Sequence, residues 1–281
     1  AVFAGDNGTG DGVEIVFAPS VDGLYPPQDG MIPFKNNGKF GWFNENFEEV
    51  IPAEYESQYS SFSTPPEFDN GLAIVKRGGY LGAIDKSGNV AVPFEYDSIY
   101  FFSDDGFAVV KKHEYEGIID NNGNVVVPLE YFQAHNFFEG RAVVSTGERN
   151  GWFAKNVRYG AVDEAGTLVI PMEYSSFSVF DNGFAIVKNG RGGAIDKDGN
   201  VLIPLEYDTA TRAGEGVIAS KKVEGKTRDS FWVIENGAAV CKGTYDQINS
   251  YFSDGLAWAE QYDGKWGFID ASGNLVVPTI Y

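Results

Sequence analysis

One short phrase recurs along this chain: a proline followed three residues later by a tyrosine. It appears at Pro52/Tyr55, Pro93/Tyr96, Pro128/Tyr131, Pro171/Tyr174, Pro204/Tyr207 and Pro278/Tyr281, and Tyr245 keeps the register where Lys242 replaces the proline. Successive tyrosines lie 33 to 43 residues apart, and a glycine opens each interval, at Gly30, Gly71, Gly106, Gly140, Gly183, Gly216 and Gly255. Self-similarity at that period means one small supersecondary unit used again and again, each copy burying its neighbour's apolar face. The expected units are 30–55, 71–96, 106–131, 140–174, 183–207, 216–245 and 255–281, with 1–29 as an N-terminal cap or closing strand.

Within a unit, three stretches read as strands. The first is short, β-branched and bounded by glycine, as in "GLAIVKR" from Gly71. The second is "YLGAID" or "KWGFID". The third, "NVAVP" or "NLVVP", ends at a proline that removes a ladder donor. Asp-x-x-Gly joins the second to the third, at Asp85/Gly88, Asp120/Gly123, Asp163/Gly166, Asp196/Gly199 and Asp270/Gly273. In that pattern aspartate starts a type I turn and glycine takes the left-handed position. Each unit is therefore an antiparallel meander. The link after the tyrosine, such as "YDSIYFFSDD", is compatible with a fourth strand or with coil. Six second strands carry an interior glycine (Gly41, Gly82, Gly117, Gly160, Gly193, Gly267), which implies that something packs over it. The aromatic residues Phe40, Tyr159 and Trp266 and the terminal tyrosines are the expected cover.

These residues resemble the WG (KWG) repeat of bacterial proteins. "GKWGFIDASGNLVVPTIY" carries the resemblance best, and it extends over about residues 30–281. Leu81, Glu116 and Gly192 stand where the motif has tryptophan, and Trp232 stands where it has glycine. The resemblance implies an all-β repeat scaffold, often exported, with no shared catalytic residue. The fold expected is seven tandem three-stranded antiparallel meanders in an open twisted array, with a closed seven-bladed β-propeller as the alternative. Export implies a bacterial extracytoplasmic location, whether secreted, periplasmic or at the surface.

Chemistry is hard to find in the sequence. His113 and His135 are isolated, and no His/Cys/Glu cluster has metal-ligand spacing. No phosphate loop, dinucleotide fingerprint or Gly-x-Ser-x-Gly elbow occurs in a strand-to-helix context. Cys241, the one cysteine, reads as a buried thiol in the third strand of unit six. Asp6–Gly12 and Ser103–Gly106 are oxygen-rich but lack the full ligand order of a calcium loop. The expectation is a non-enzyme without cofactor or metal. No apolar run approaches the ~20 residues that span a bilayer, so no membrane insertion is expected.

Charge is more informative. The net charge of −19 repels nucleic acid. Yet the hairpins between first and second strands, with their flanks, hold sixteen of the twenty-one Lys and Arg against seven acids. A regular array puts these hairpins on one edge, so that edge should be basic and the remainder acidic. Solubility and protection against strand pairing would account for such lysines without any ligand. The functional reading is an interaction scaffold that binds a protein or an anionic or glycan polymer through Arg149, Lys155, Arg158, Lys221, Lys222, Lys226 and Arg228. These lie in the long loops Ser145–Tyr159 and Ser220–Phe231. The alternatives are a glycan- or cell-wall-binding module using exposed aromatics, and an enzyme with a carboxylate site in a groove or channel.

Overall fold

The computed structural model describes residues 21–58, 64–150 and 153–278. The Gly12–Ser20 segment read as a cap or closing strand, the Asp6–Gly12 loop and Tyr281 lie outside them. Among the described residues there are strands, bridges and turns, and no helix. The chain divides into two compact units, one running to Glu114 with Ile119–Val125, the other comprising Tyr115–Ile118 and the chain from Val126 onward.

The first unit carries an eight-stranded antiparallel sheet in the order Gly23–Leu24, Ile32–Asn36, Lys39–Phe43, Glu49–Ser57, Leu72–Arg77, Tyr80–Asp85, Val90–Tyr96, with Phe68–Asp69 pairing off Leu72–Arg77. Ser98–Ile99 and Phe107–Lys112 pair beyond it. The second unit holds four sheets of four strands. They are Gln133–Ala134/Arg141–Asn150/Phe153–Asp163/Leu168–Tyr174, Ser176–Phe177/Phe184–Asn189/Arg191–Asp196/Val201–Tyr207, Thr209–Ala213/Gly216–Val223/Lys226–Glu235/Ala238–Tyr245 and Gln247–Ile248/Leu256–Glu260/Trp266–Asp270/Leu275–Val277.

The repeat is thus four-stranded, one strand more than the expected meander. The link after each tyrosine begins as a strand, usually two residues long, that pairs with the first strand of the next meander: Ile99 with Val110, Phe177 with Val187, Ile248 with Ala259. We call it the lead strand, and the three that follow strands one, two and three. Between the first two meanders lead strand and strand three fuse. Glu49–Ser57 runs past Tyr55, so that Glu56 and Ser57 pair with Lys76 and Val75, and two meanders become one sheet.

Local chemistry fixes the turns. In the Asp-x-x-Gly turns, Asp85 Oδ1 accepts N–H bonds from Ser87 and Asn89 while Oδ2 accepts from the Asn89 amide, and Gly88 sits at φ +82°. Asp120, Asp196 and Asp270 repeat the same set of bonds. The carboxylate thereby replaces the backbone partners that a tight turn leaves unmade.

The interior glycine has a different cause from the one expected. A Cβ on Gly160 would stand 2.4 Å from the Ile170 carbonyl oxygen, and one on Gly193 2.5 Å from the Ile203 carbonyl oxygen. The cover is backbone, not aromatic. Strand three bulges there, with register shifts between Tyr159 and Ala161 and between Gly192 and Ala194, and its carbonyl is pushed toward strand two. At Gly41 and Gly82 an aromatic ring, Phe34 or Phe94, also closes the space.

The motif's tryptophan position meets the next repeat. In the sixth repeat that position is held by Asp229, which pairs with Tyr245 as Gly192 pairs with Tyr207, so Ser230 and not Trp232 stands where the motif has glycine. Where Glu116 stands there, its Oε2 accepts the Ala134 N–H at 3.0 Å; where Asp229 stands there, its Oδ2 accepts the Ile248 N–H at 2.9 Å. Where Gly192 stands there, the backbone of Thr209 and Ala210 comes close enough that a Cβ would lie 3.1 Å from the Ala210 nitrogen. Three unlike residues therefore serve one contact, each with the following lead strand.

Core packing runs from sheet to sheet. In the second unit Ala161, Ile170 and Tyr174 cluster with Phe180, Ala185, Val187 and Ile195 of the next sheet. Ala194, Ile203 and Tyr207 likewise meet Val217 and Ala219, and Phe231 and Tyr245 meet Ala257, Ala259 and Ile269. The first unit centres on Trp42, Ile51, Tyr55, Phe68 and Val75. The repeated tyrosines are core residues: Tyr55, Tyr96, Tyr131, Tyr174, Tyr207 and Tyr245 are all buried. Burial first, then the charge of a preceding glutamate, raises the pKa of Tyr55, Tyr96, Tyr131 and Tyr174.

Candidate interaction surface

The stretches read as long loops, Ser145–Tyr159 and Ser220–Phe231, are mostly strand. The meander hairpin continues outward as a two-stranded ribbon in each case. In the fourth repeat, strand three begins pairing at Tyr159 and the lead strand reaches Ser145. Beyond them only Thr146–Arg158, Glu148–Lys155, Arg149–Ala154 and Asn150–Phe153 face each other. In the sixth repeat the flanking strands stop at Ser220 and Asp229, and Lys221–Arg228, Lys222–Thr227 and Val223–Lys226 continue alone to a Glu224–Gly225 turn. The second and fifth repeats have one such pair each, Arg77–Tyr80 and Asn189–Arg191.

All seven residues expected to bind lie on these two arms, on separate sheets. Lys155 and Arg158 are exposed on the first arm, where Arg158 donates to the Val157 carbonyl at 3.2 Å. Arg149 pairs with Ala154 near its end. At the arm's base the register shifts between Thr146 and Glu148, and the Phe132 ring lies 3.2 Å from where a Gly147 Cβ would be. On the second arm Lys222 and Lys226 are exposed and Lys221 pairs with Glu206 at 3.4 Å. Arg228 is committed to the scaffold: it pairs with Asp246 and stacks 4.1 Å from the centre of the Tyr262 ring.

Acids interleave with the basic edge expected from the sequence. Register places the end of strand three beside the hairpin of strands one and two: Tyr96 opposite Leu81, Tyr174 opposite Tyr159, Tyr207 opposite Gly192. The acids flanking each tyrosine therefore sit among the lysines and arginines. Arg77 pairs with Glu54 at 3.6 Å, Lys112 with Glu95 at 2.9 Å, and Arg191 with Asp208. The aspartate after the tyrosine also holds the hairpin backbone, since Asp97 Oδ2 accepts the His113 N–H at 2.5 Å and Asp208 Oδ2 that of Lys222 at 2.9 Å. Sequence reasoning missed these acids because their place on the edge depends on register. The available signal was the glutamate before Tyr55, Tyr96, Tyr131, Tyr174 and Tyr207, with a second acid after Tyr55, Tyr96, Tyr207 and Tyr245. Among the described residues Lys155, Lys222 and Lys226 make no ion pair, and neither do Lys35, Lys39, Lys76, Lys111 and Lys188 on the other hairpins, while Glu148 stands opposite Lys155. What sets the two arms apart is their extension, which carries Arg149, Lys155, Arg158, Lys222 and Lys226 beyond the sheets.

Other candidates fall into place. Cys241 is exposed, not buried; it stands opposite Trp232, just past the register shift between Phe231 and Trp232. His113 occupies a left-handed turn position at φ +59°, and both histidines are exposed. Ser103–Gly106 is a turn closed by the Gly106 N–H on the Ser103 carbonyl at 2.8 Å. Among the described residues no three His, Cys, Asp or Glu side chains converge as a metal would require.

A family described as a WG-containing repeat matches residues 14–40, 40–63, 82–115, 117–149, 159–191, 193–226, 235–266 and 266–281. The chain belongs to the WG-repeat family. The WG frame is offset from the sheets: the match 159–191 opens in strand two of one meander and closes at the hairpin of the next. Comparison with curated proteins gave no match. Among solved structures, a eukaryotic initiation factor is 8% identical with a TM-score of 0.35, covering 93% of this chain and 88% of its own. Apo AztD from Citrobacter koseri is 13% identical with a TM-score of 0.32, covering 85% and 77%. Oligopeptidase B from Leishmania major is 9% identical with a TM-score of 0.36, covering 90% and 47%. Likenesses this low carry no argument about what the WG chain binds.

Proposed function

We propose that this WG-repeat protein is a non-enzymatic interaction scaffold that engages an acidic protein segment or other anionic polymer through its two cationic arms. One observation carries the reading: the arms leave the sheets as two-stranded ribbons. A two-stranded ribbon alone in water is marginally stable, and the packing of the repeats does not call for either arm. Loops and extensions that the scaffold does not need are where binding surfaces tend to sit. The buried tyrosines offer no stacking platform, which weighs against a glycan reading based on the repeated aromatics.

Binding of this kind is weak and salt-sensitive, because exposed charges are screened beyond about 8 Å at physiological salt. The net charge of −19 adds a repulsion that the arms overcome only locally. The test is the affinity of the full chain for poly-L-glutamate at low and physiological salt, against a Lys155→Glu, Lys222→Glu, Lys226→Glu variant. The reading expects measurable low-salt binding that the triple variant loses by about tenfold or more. Equal binding by a folded variant would remove the arms from consideration.

A further inference from the structure

In the four-stranded sheets strand three is an outer strand, with one side left unpaired. Such an edge can take up a foreign strand, and proteins blunt it with proline, charge, bulges or short length. Four outer strands here use the same devices. Pro93, Pro128, Pro171 and Pro204 are exposed in mid-strand, and each is followed two residues later by a glutamate: Glu95, Glu130, Glu173 and Glu206. In the second, fourth and fifth repeats the pairing with strand two skips over the proline and retains three residue pairs. In the last sheet the outer strand Leu275–Val277 has three residues and stops at Pro278. The sixth repeat lacks these devices. Its outer strand, Ala238–Tyr245, has Lys242 in place of the proline and Thr244 in place of the glutamate. None of its eight residues is acidic, in a chain of net charge −19. Pairing with strand two runs from Glu235–Ala238 to Asp229–Tyr245, with only Lys242 left out of register. Among the described residues no strand pairs along its other side, and Ala238, Val240, Cys241 and Thr244 are exposed.

We infer that this edge pairs with the same edge of a second copy of the chain, antiparallel, about a two-fold axis at Cys241. An antiparallel strand edge alternates N–H and C=O groups and is therefore complementary to itself. Two-fold symmetry carries each opposed pair onto one of its own kind, hydrogen-bonded or not, so one residue must face its own copy. The two registers that oppose most of Ala238–Tyr245 put Cys241 or Lys242 on the axis. Lys242 there would set two ammonium groups face to face, which destabilises a strand pair. With Cys241 on the axis, Val240 faces the partner's Lys242, Ala239 the partner's Gly243 and Ala238 the partner's Thr244, and no like charges meet. Charge favours a second copy at this strand over the others. Two chains of net charge −19 repel each other, and this outer strand brings no carboxylate of its own to the contact, whereas a glutamate stands in each of the four proline-bearing strands. The pairing uses up both unguarded edges, so association stops at two. It makes no use of the cationic arms, which extend strands one and two.

Sedimentation velocity of the full chain over a wide concentration range, at low and high salt, reads the stoichiometry. A short bismaleimide, which links two thiols only when they lie close together, reads the contact at Cys241, the one cysteine of the chain. The proposal expects a reversible dimer that tightens as salt is raised, because screening relieves the repulsion between two acidic chains. The reagent should join the dimer covalently and leave the monomer single. Lys242→Pro and Thr244→Glu should each weaken association about tenfold or more. Both restore the residue that the four guarded strands carry, and the urea midpoint of each variant checks that it remains folded. A chain that stays monomeric throughout overturns the proposal. So does a dimer that the bismaleimide fails to join, a dimer indifferent to both folded variants, or growth into species larger than a dimer.

Discussion

At the scale of single residues, the interior glycine is the sharpest constraint, because what it meets is backbone that cannot swing aside. Gly160→Ala is expected to cost about 1–3 kcal/mol by forcing strand three away at its bulge. A matched change at exposed Lys155 should leave stability almost unchanged, and urea unfolding of the two variants separates them. The Asp-x-x-Gly turns make a second, pH-dependent contribution. Burial alone would raise the pKa of Asp196, but hydrogen bonds from the Asn200 side chain and backbone and from the backbone of Asp198 and Gly199 outweigh it and hold the carboxyl below its ordinary 3.8. A lowered native pKa means the unfolded chain takes up the proton first as pH falls. The stabilisation is therefore complete above the ordinary value and disappears as pH drops through the native one. Asp196→Asn should be less stable than the parent at neutral pH by about 1–3 kcal/mol, with the difference vanishing in acid; a constant difference across the titration would contradict this.

At the scale of elements, the turns were legible and the lead strands were not. Asp85 to Gly88 encodes its turn in four residues, so position in the fold adds nothing. Ser98–Ile99 is too short to display a period of two and exists only because Lys111 and Val110 come alongside. The bulges were hidden for a related reason: two residues facing one is a relation between strands. The acids beside the hairpins were hidden likewise, since Tyr207 and Gly192 are far apart in sequence and adjacent in register. The arms were visible as insertions in repeats four and six, though not as ribbons. Replacing Val223 to Lys226 by Asn-Gly keeps the Lys222–Thr227 pair and supplies the residues a two-residue hairpin prefers. It should shift the melting temperature by no more than about 2 °C, because the lost pair is exposed and outside the sheet's core. A shift of several times that would mean the arm supports the scaffold.

At the scale of the whole molecule, identical local solutions add. Tyr55, Tyr96, Tyr131, Tyr174, Tyr207 and Tyr245 are each shifted above the ordinary 10.0, with burial the largest cause in every case. A raised tyrosine pKa means the unfolded chain ionises first, so stability is complete below the ordinary value and is lost as pH rises through the native ones. Six such groups in one fold predict a steep alkaline loss beginning near pH 10, readable as a falling denaturation midpoint together with phenolate absorbance. The WG scaffold supplies this shared stability, and the two arms carry what distinguishes repeats four and six from the rest. Hydrogen–deuterium exchange of the full chain with and without poly-L-glutamate at low salt tests that division most directly. The account predicts protection confined to the Thr146–Arg158 and Lys221–Arg228 arms, fading as salt is added. Protection spread over the sheets, or centred on any other surface while both arms exchange freely, would contradict it.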